Sequence, residues 1–239
     1  MGFRQWLFFR AEEMVSRYTR VGSHFFFDTN DFPWCADLER ATPQIRRELL
    51  AVLSSAQAVP RFQDISPEQT RITKDDGWRT FLLSAYGRKI RKNCDRCPQT
   101  AKALQAIPGM RTAFFSILSP GKEVPFHRGP YNGVLRYHLG LIVPEGGAQC
   151  AIVVGPEQRR WAEGSSLIFD DSHLHRAWNR SGSVRVVLFV DFVRPLQGPA
   201  SILNWLYIQM MSMSQAARKT LKLQKDWEKG KAAAPVMHG

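Results

Sequence analysis

The chain has 239 residues, 44% of them hydrophobic and 23% charged, with a formal net charge of +12. That is ample apolar material for one core, in range for a single domain with additions, and no low-complexity tract precedes the final Ala232-Ala233-Ala234-Pro235 tail. The cation excess calls for an anionic partner, and since no nucleic-acid motif accompanies it, a membrane surface or an acidic substrate is left. The first element reads as a helix, with Phe3, Leu7, Ala11, Met14 and Tyr18 as an apolar series flanked by Arg4, Arg10, Arg17 and Arg20. Its Trp6-Leu7-Phe8-Phe9 run is too short for a cleavable signal peptide and is followed at once by Arg10, Glu12 and Glu13. Thr42 is expected as the N-cap of a second helix, with Pro43 at its first position and Ile45, Leu49, Leu50 and Leu53 on the apolar stripe.

Cys94-Asp95-Arg96-Cys97 is a lone CxxC, with Cys35 and Cys150 far away, whereas a zinc knuckle needs two such halves. A loop disulfide and a pair of free thiols beside a helix start are both open. A short helix follows Pro98 and ends at Pro108-Gly109. Strand-like runs then follow at Thr112 to Leu118, Val134 to Val143, Cys150 to Val154, Ser166 to Phe169 and Val184 to Val193. Turn signals at Ser119-Pro120-Gly121, Pro144-Glu145-Gly146-Gly147 and Arg180-Ser181-Gly182 separate them. This order predicts a mainly β fold, a double-stranded β-helix or cupin-like jelly roll, with N-terminal helices ahead of it and a C-terminal amphipathic helix behind. Residues 1–24 then form an N-terminal amphipathic helix, 25–196 the jelly-roll domain and 197–239 an apolar, then basic, extension.

Four of the six histidines, His127, His138, His173 and His175, fall within the strand-rich stretch. A non-haem Fe(II) oxygenase needs imidazole or carboxylate ligands on one side of the metal and open positions on the other. A 2-oxo diacid cosubstrate also needs a deep cation, for which a planar guanidinium is best suited. Alternation places Arg136 and His138 on one face of their strand. Arg185 shares a face with Val187, Phe189 and Asp191. A cation on that apolar wall requires a partner, either a bound anion or an internal carboxylate such as Asp191.

The segments His127-Arg128-Gly129-Pro130, Leu135-Arg136-Tyr137-His138-Leu139-Gly140-Leu141 and Ile168-Phe169-Asp170-Asp171-Ser172, with His175 and Trp178, closely resemble the aspartyl/asparaginyl β-hydroxylases. Gly77-Trp78 and Phe115-Ser116-Ile117 match two further motifs, so the resemblance runs from about Phe25 to Pro195. It implies the same jelly roll and a dioxygenase using Fe(II), 2-oxoglutarate and O2. His127 and His175 are implied as iron ligands. Ser116, Arg136, His138 and Arg185 are implied as the 2-oxoglutarate site, and Trp78 as a substrate contact. By the family's spacing from Asp-Asp-Ser, His175 rather than His173 is the ligand. The usual carboxylate two residues after the first histidine is missing, because that place is Gly129. Two protein ligands with water completing the shell are therefore implied, and Asp171 becomes an outer acceptor at the catalytic centre. Read from the residues alone, Asp170 and Asp171 also fit an ordinary turn.

In the tail, Ile202 to Met213 is almost wholly apolar, with Trp205, Leu206, Tyr207, Met210 and Met211, and is too short to span a bilayer. The following Arg218, Lys222, Lys225 and Lys229 make a basic helical stripe, which suits a helix lying on anionic lipid. A helix docked on the domain or a dimer contact fits the same residues. Family members that hydroxylate lipid A or ornithine-lipid acyl chains resemble this chain in such a tail, down to a late Trp227-Glu228. The expected activity is thus hydroxylation of a membrane-lipid acyl chain by a cytoplasmic protein peripheral at the inner face of the membrane. The alternatives are β-hydroxylation of Asp or Asn in a protein, peptide or free amino acid and, more distantly, a non-catalytic lipid-binding jelly roll.

Overall fold

The computed structural model describes residues 2–55, 59–145 and 149–230, without the side chains of residues 3 and 4. The second half of the turn expected at Pro144-Glu145-Gly146-Gly147 and the Ala232-to-Pro235 tail lie outside the described residues.

Every expected strand forms, to within two residues at its ends. In chain order the strands are β1 (Phe26–Phe27), β2 (Trp78–Ala85), β3 (Arg88–Lys89), β4 (Met110–Leu118), β5 (Glu123–His127), β6 (Val134–Ile142), β7 (Cys150–Val154), β8 (Glu157–Arg160), β9 (Ser166–Phe169), β10 (His175–Asn179) and β11 (Arg185–Val193). They pair antiparallel into a large sheet, β1-β9-β6-β11-β4-β2-β3, and a small one, β5-β10-β7-β8. From β4 onward the chain places strands in the two sheets by turns: β4, β6, β9 and β11 in the large, β5, β7, β8 and β10 in the small. That is the double-stranded β-helix expected from the sequence.

Because side chains alternate along a strand, the large sheet has two faces with different duties. Leu135, Tyr137 and Leu139 of β6 and Val186, Leu188, Val190 and Phe192 of β11 are buried in the cluster that holds the helices. These are α2 (Trp34–Arg40), α3 (Thr42–Leu53) and, beyond β3, α5 (Arg91–Arg96) and α6 (Pro98–Ala103). The residues between them, including Val187 and Phe189, join Leu82, Phe114, Ile152, Val154 and Trp161 in a second cluster facing the small sheet. His127, His138 and His175 lie on the strands of the two sheets.

Three local expectations are corrected. Thr42 does not cap α3: Ala41 holds the cap position, and the Thr42 hydroxyl instead donates to the Leu38 carbonyl at 3.4 Å. Ile45, Leu49 and Val52 form the buried stripe, while Leu50 and Leu53 are exposed, as the helical period requires once Ile45 faces inward. In α1 (Phe3–Tyr18), Val15 is the fully buried residue and Tyr18 is exposed.

The termini pack on each other. α7 (Pro199–Ser212) turns Ala200, Asn204 and Ile208 inward, and these join Val15 and Tyr131 in one cluster edged by Phe8, Ala11 and Met14 of α1. Asn204 accepts from the Tyr131 hydroxyl at 2.9 Å and donates to the Gly133 carbonyl at 3.0 Å, tying α7 to the start of β6. α8 (Gln215–Glu228), capped by Ser214, turns Ala217, Thr220 and Gln224 inward and packs on the short α4 (Phe62–Ile65). Arg218, Lys222, Lys225 and Lys229 are exposed on its outer side, the expected basic stripe. No helix among the described residues is long and apolar enough to cross a membrane.

All four cysteines are free and buried, which closes the choice left by the CxxC in favour of thiols. Burial pushes the Cys35 and Cys97 thiols up to about 12 and raises Cys94 and Cys150 as well. Since the thiolate is the reactive form, a colorimetric thiol reagent at neutral pH should label the native protein only slowly. After denaturation it should label all four; rapid native labelling would show that the core around them opens.

Candidate active site

His127 ends β5 and His175 begins β10, and the two are register partners in the small sheet with ring centroids 4.0 Å apart. Each ring is fixed by its own strand: Nδ1 of His127 lies 2.8 Å from the Pro125 carbonyl and Nδ1 of His175 lies 2.9 Å from that of His173. A carbonyl can only accept, so each Nδ1 carries the proton and each Nε2 keeps its lone pair. Burial lowers the pKa of both rings, that of His175 to about 3, so both are neutral at physiological pH. A pair of neutral imidazoles whose outer nitrogens are locked to carbonyls is a donor set that fits Fe(II). His173 does not join it. It lies in the turn before β10, with its side chain 42% exposed, against Phe25 and 3.9 Å from Asp170.

Among the described residues no third His, Cys, Asp or Glu completes a metal-binding group. At Gly129, a Cβ would fall 2.0 Å from a carboxylate oxygen of Asp171. The space that a ligand side chain at this position would need is thus filled by Asp171, whose backbone carbonyl also accepts from the Gly129 N–H at 2.7 Å. The carboxylate of Asp171 is 2.8 Å from Arg136, and burial holds its pKa above the ordinary range despite that partner. Asp170 has a different job: it accepts from the amide and hydroxyl of Ser172 and pairs with the buried Arg194. Both residues belong to the turn after β9, Asp170 by holding it together and Asp171 while also facing Gly129 and Arg136.

On the facing wall, Arg185 is 2% exposed and has no carboxylate partner among the described residues. Its guanidinium lies 4.4 Å over the Trp161 ring, makes a long hydrogen bond to the Ser116 carbonyl at 3.4 Å and another to the Cys150 side chain, and Nε has no partner. Burial pulls its pKa down to about 10, with Cys150 beside it, which still leaves a cation at neutral pH. Asp191, the internal carboxylate that could have neutralised it, stands opposite Arg136 in the β6–β11 register and accepts from that residue at 2.9 Å. Arg136, expected with Arg185 at the 2-oxoglutarate site, is held between Asp171 and Asp191 and stacked 4.2 Å over Phe189. His138 accepts from the Trp161 indole N–H at Nδ1, 3.2 Å away, so its buried Nε2 carries the proton and has no acceptor. Burial and the two arginines keep that ring neutral. Ser116 accepts from the Trp78 indole at 3.0 Å, which leaves its own hydroxyl proton to donate. A lone buried cation with two spare donors beside it fits a dicarboxylate such as 2-oxoglutarate.

Trp161 was not picked out from the sequence, yet it orients both Arg185 and His138. Its one signal is a tryptophan between Arg160 and Glu163 in an otherwise polar run.

A cavity of about 670 Å3 opens beside the histidines. His127, Gly129, Arg136 and Asp171 line one end, and Phe62, Ile65, Trp78, Leu82, Phe114 and Phe189 supply much of the wall. Trp78 lines the cavity with its ring, since its N–H is taken by Ser116.

The sequence profile described as aspartyl/asparaginyl β-hydroxylase matches residues 39–195. The chain is 47% identical over 219 residues to the ornithine lipid ester-linked acyl 2-hydroxylase of Rhizobium tropici, covering 92% of this chain and 78% of that protein. It is 37% identical over 163 residues to the aspartyl/asparaginyl β-hydroxylase of Homo sapiens, covering 66% of this chain and only 21% of the human protein. Among solved structures, a Pseudomonas putida prolyl-4-hydroxylase superposes with a TM-score of 0.43 at 16% identity, covering 64% of this chain and 88% of that one, a likeness too distant to carry weight. With more than half of its length in the family match, the chain belongs to the aspartyl/asparaginyl β-hydroxylase family.

Proposed function

We propose that this protein is an Fe(II)- and 2-oxoglutarate-dependent hydroxylase acting on an ester-linked acyl chain of an ornithine-type membrane lipid. The observation that carries the reaction class is the pairing of His127 and His175 opposite an uncompensated Arg185. His127 and His175 would hold the iron through Nε2. Arg185, with the Ser116 hydroxyl and the His138 Nε2–H, would hold the far carboxylate and flank of 2-oxoglutarate. When bound, iron and cosubstrate supply the oxidation: dioxygen gives one oxygen atom to the C–H bond and one to 2-oxoglutarate, which leaves as succinate and carbon dioxide. The protein's own part is placement. Arg136 keeps Asp171 over Gly129, where its carboxylate serves as an acceptor beside the metal and no side-chain ligand fits.

The choice of an acyl chain over an aspartyl side chain rests on the cavity and on α7. Arg136, one of three arginines lining the cavity with Arg71 and Arg128, is already paired with two carboxylates, and the aromatic and aliphatic wall suits a hydrocarbon. α7 runs along the same edge of the large sheet, from Gly133 at the start of β6 to Arg111 at the start of β4, where Ser212 accepts at 2.6 Å. Its outer side exposes Ile202, Leu203, Trp205, Leu206, Met210 and Met213, joined by Trp6 and Phe9 of α1. Apolar surface of this kind beside the basic stripe of α8 fits the interface of an anionic bilayer.

Truncation after Pro199 is not the way to test this, because α8 covers the cavity and Thr220 lines it. Ile202→Glu with Leu206→Glu leaves the inward side of α7 intact. Burying each such side chain contributes about 1.5–3 kcal/mol, so the pair should reduce sedimentation with anionic vesicles at least a hundredfold in affinity. Added salt should weaken binding of the unaltered protein by screening the basic stripe. Unchanged vesicle binding by the double variant would remove α7 from the interface.

A further inference from the structure

The cavity has a second end that the chemistry above does not use. Arg136 on β6, Asp191 on β11 and Thr112 on β4 stand abreast across the large sheet, and the end of β2 comes next, one strand further. Three strand spacings place that end roughly 14 Å from Arg136. There the lining is Ala85, Tyr86, Ile65 of α4 and Thr220 of α8.

Tyr86 is an unusual residue for its position. With Gly87 it makes the two-residue turn between β2 and β3, at φ 53° followed by φ 78°. Such turns take Asn-Gly or Gly-Gly, and an ordinary side chain in the left-handed region costs about 1 kcal/mol. The backbone hydrogen bonds of the turn do not involve the tyrosine ring, which packs against the cluster of Leu82, Phe114 and Val187. The Gly87 amide donates to the Arg111 carbonyl at 2.6 Å, and Arg111 in turn donates to the Tyr86 carbonyl at 3.3 Å and to Ser212 of α7 at 2.6 Å. The two contacts at residues 86 and 87 use only their backbone atoms. The ring itself borders the cavity, and its hydroxyl pairs with Thr220.

The geometry points to Tyr86, backed by Thr220, as the residue that ends the substrate cavity and sets the length of acyl chain accepted, an assignment that rests on the acyl-chain reading above. Tyr86→Asn tests it, since Asn suits the left-handed backbone of this turn and deletes the ring, and a thermal melt checks that the loss of the ring's packing leaves the protein folded. Lipids of one headgroup carrying a graded series of ester-linked acyl lengths are mixed in the same vesicles and offered to the full-length, iron-loaded protein, and the hydroxylated products are compared by mass spectrometry. Competition in one vessel makes the product ratio independent of how much protein is active. In Tyr86→Asn the ratio of longer to shorter hydroxylated chains should rise about tenfold, the low end of what one methylene of pocket space decides. Thr220→Leu, which fills the same end from α8, should move the ratio the other way. An unshifted ratio in Tyr86→Asn overturns the gauge and leaves the acyl reading standing. If the unaltered protein converts 2-oxoglutarate but hydroxylates no acyl chain of any length, the acyl reading fails and the gauge with it.

Discussion

Replacing His127 or His175 by alanine is expected to abolish 2-oxoglutarate-dependent succinate formation. Each ring presents one lone pair, its other nitrogen being committed to a backbone carbonyl, and no third carboxylate or imidazole among the described residues is placed to substitute. Losing even an outer partner of a metal ligand typically lowers metal affinity about 10–100-fold, so removing one of two ligands should exceed that and leave turnover at background. Iron retained after gel filtration should fall in parallel. His173→Ala is the control: its ring lies outside the site against Phe25, and activity should be close to that of the unaltered protein. Full activity in either ligand variant would mean that the paired histidines are structural, and loss in His173→Ala alone would mean that the wrong member of the pair was assigned.

Arg185→Ala is expected to weaken 2-oxoglutarate binding by roughly 2–5 kcal/mol, the usual effect of truncating one partner of a buried charge pair. That corresponds to a rise in Kd of roughly 30- to 5000-fold. Iron binding should be nearly unchanged, since Arg185 lies on the large sheet and the histidines on the small one. The thermal shifts distinguish an anchor from a structural cation. An internally paired arginine would leave a stranded carboxylate when removed and destabilise the fold, but Arg185 has none to strand. The ligand-free variant should therefore melt near the unaltered protein, while only the unaltered protein gains Tm on adding 2-oxoglutarate. Unchanged cosubstrate affinity would return Arg185 to a structural role.

How much of this was legible in the sequence depended on where each residue type sat. β4, β6, β7, β9 and β11 are apolar or alternating runs, and their pattern marks them as strands. β5, β8 and β10 read Glu-Val-Pro-Phe-His, Glu-Gln-Arg-Arg and His-Arg-Ala-Trp-Asn, short segments whose charges, proline or mixed polarity hide the period. Two of these carry His127 and His175, so the pair proposed to hold iron is reached through the family resemblance and not through periodicity. Arg136 and Arg185 looked alike along their own strands. Cross-strand register decides between them, placing Asp191 opposite Arg136 and leaving Arg185 alone, and register is a long-range property that one strand's pattern does not contain. The missing ligand at Gly129 was visible as an absence; that Asp171 fills the space was not, because the contact depends on how the turn after β9 folds back. In the tail, the docked-helix reading holds for one side of the apolar segment, and the membrane reading stays a proposal for the other. One side of α7 is docked around Tyr131 and the other faces outward, and a single helix can do both because its period separates the faces.

The most direct test of the central claim is isotopic. The full-length protein, loaded with Fe(II), is given 2-oxoglutarate, heavy-isotope dioxygen and vesicles containing an ornithine-type lipid, and both lipid and succinate are analysed by mass spectrometry. The account predicts one heavy oxygen atom in the acyl chain of the product lipid and one in succinate, with both lost in His127→Ala and His175→Ala. Succinate without a labelled lipid, accompanied by a labelled Asp or Asn in a peptide substrate supplied in parallel, would contradict it.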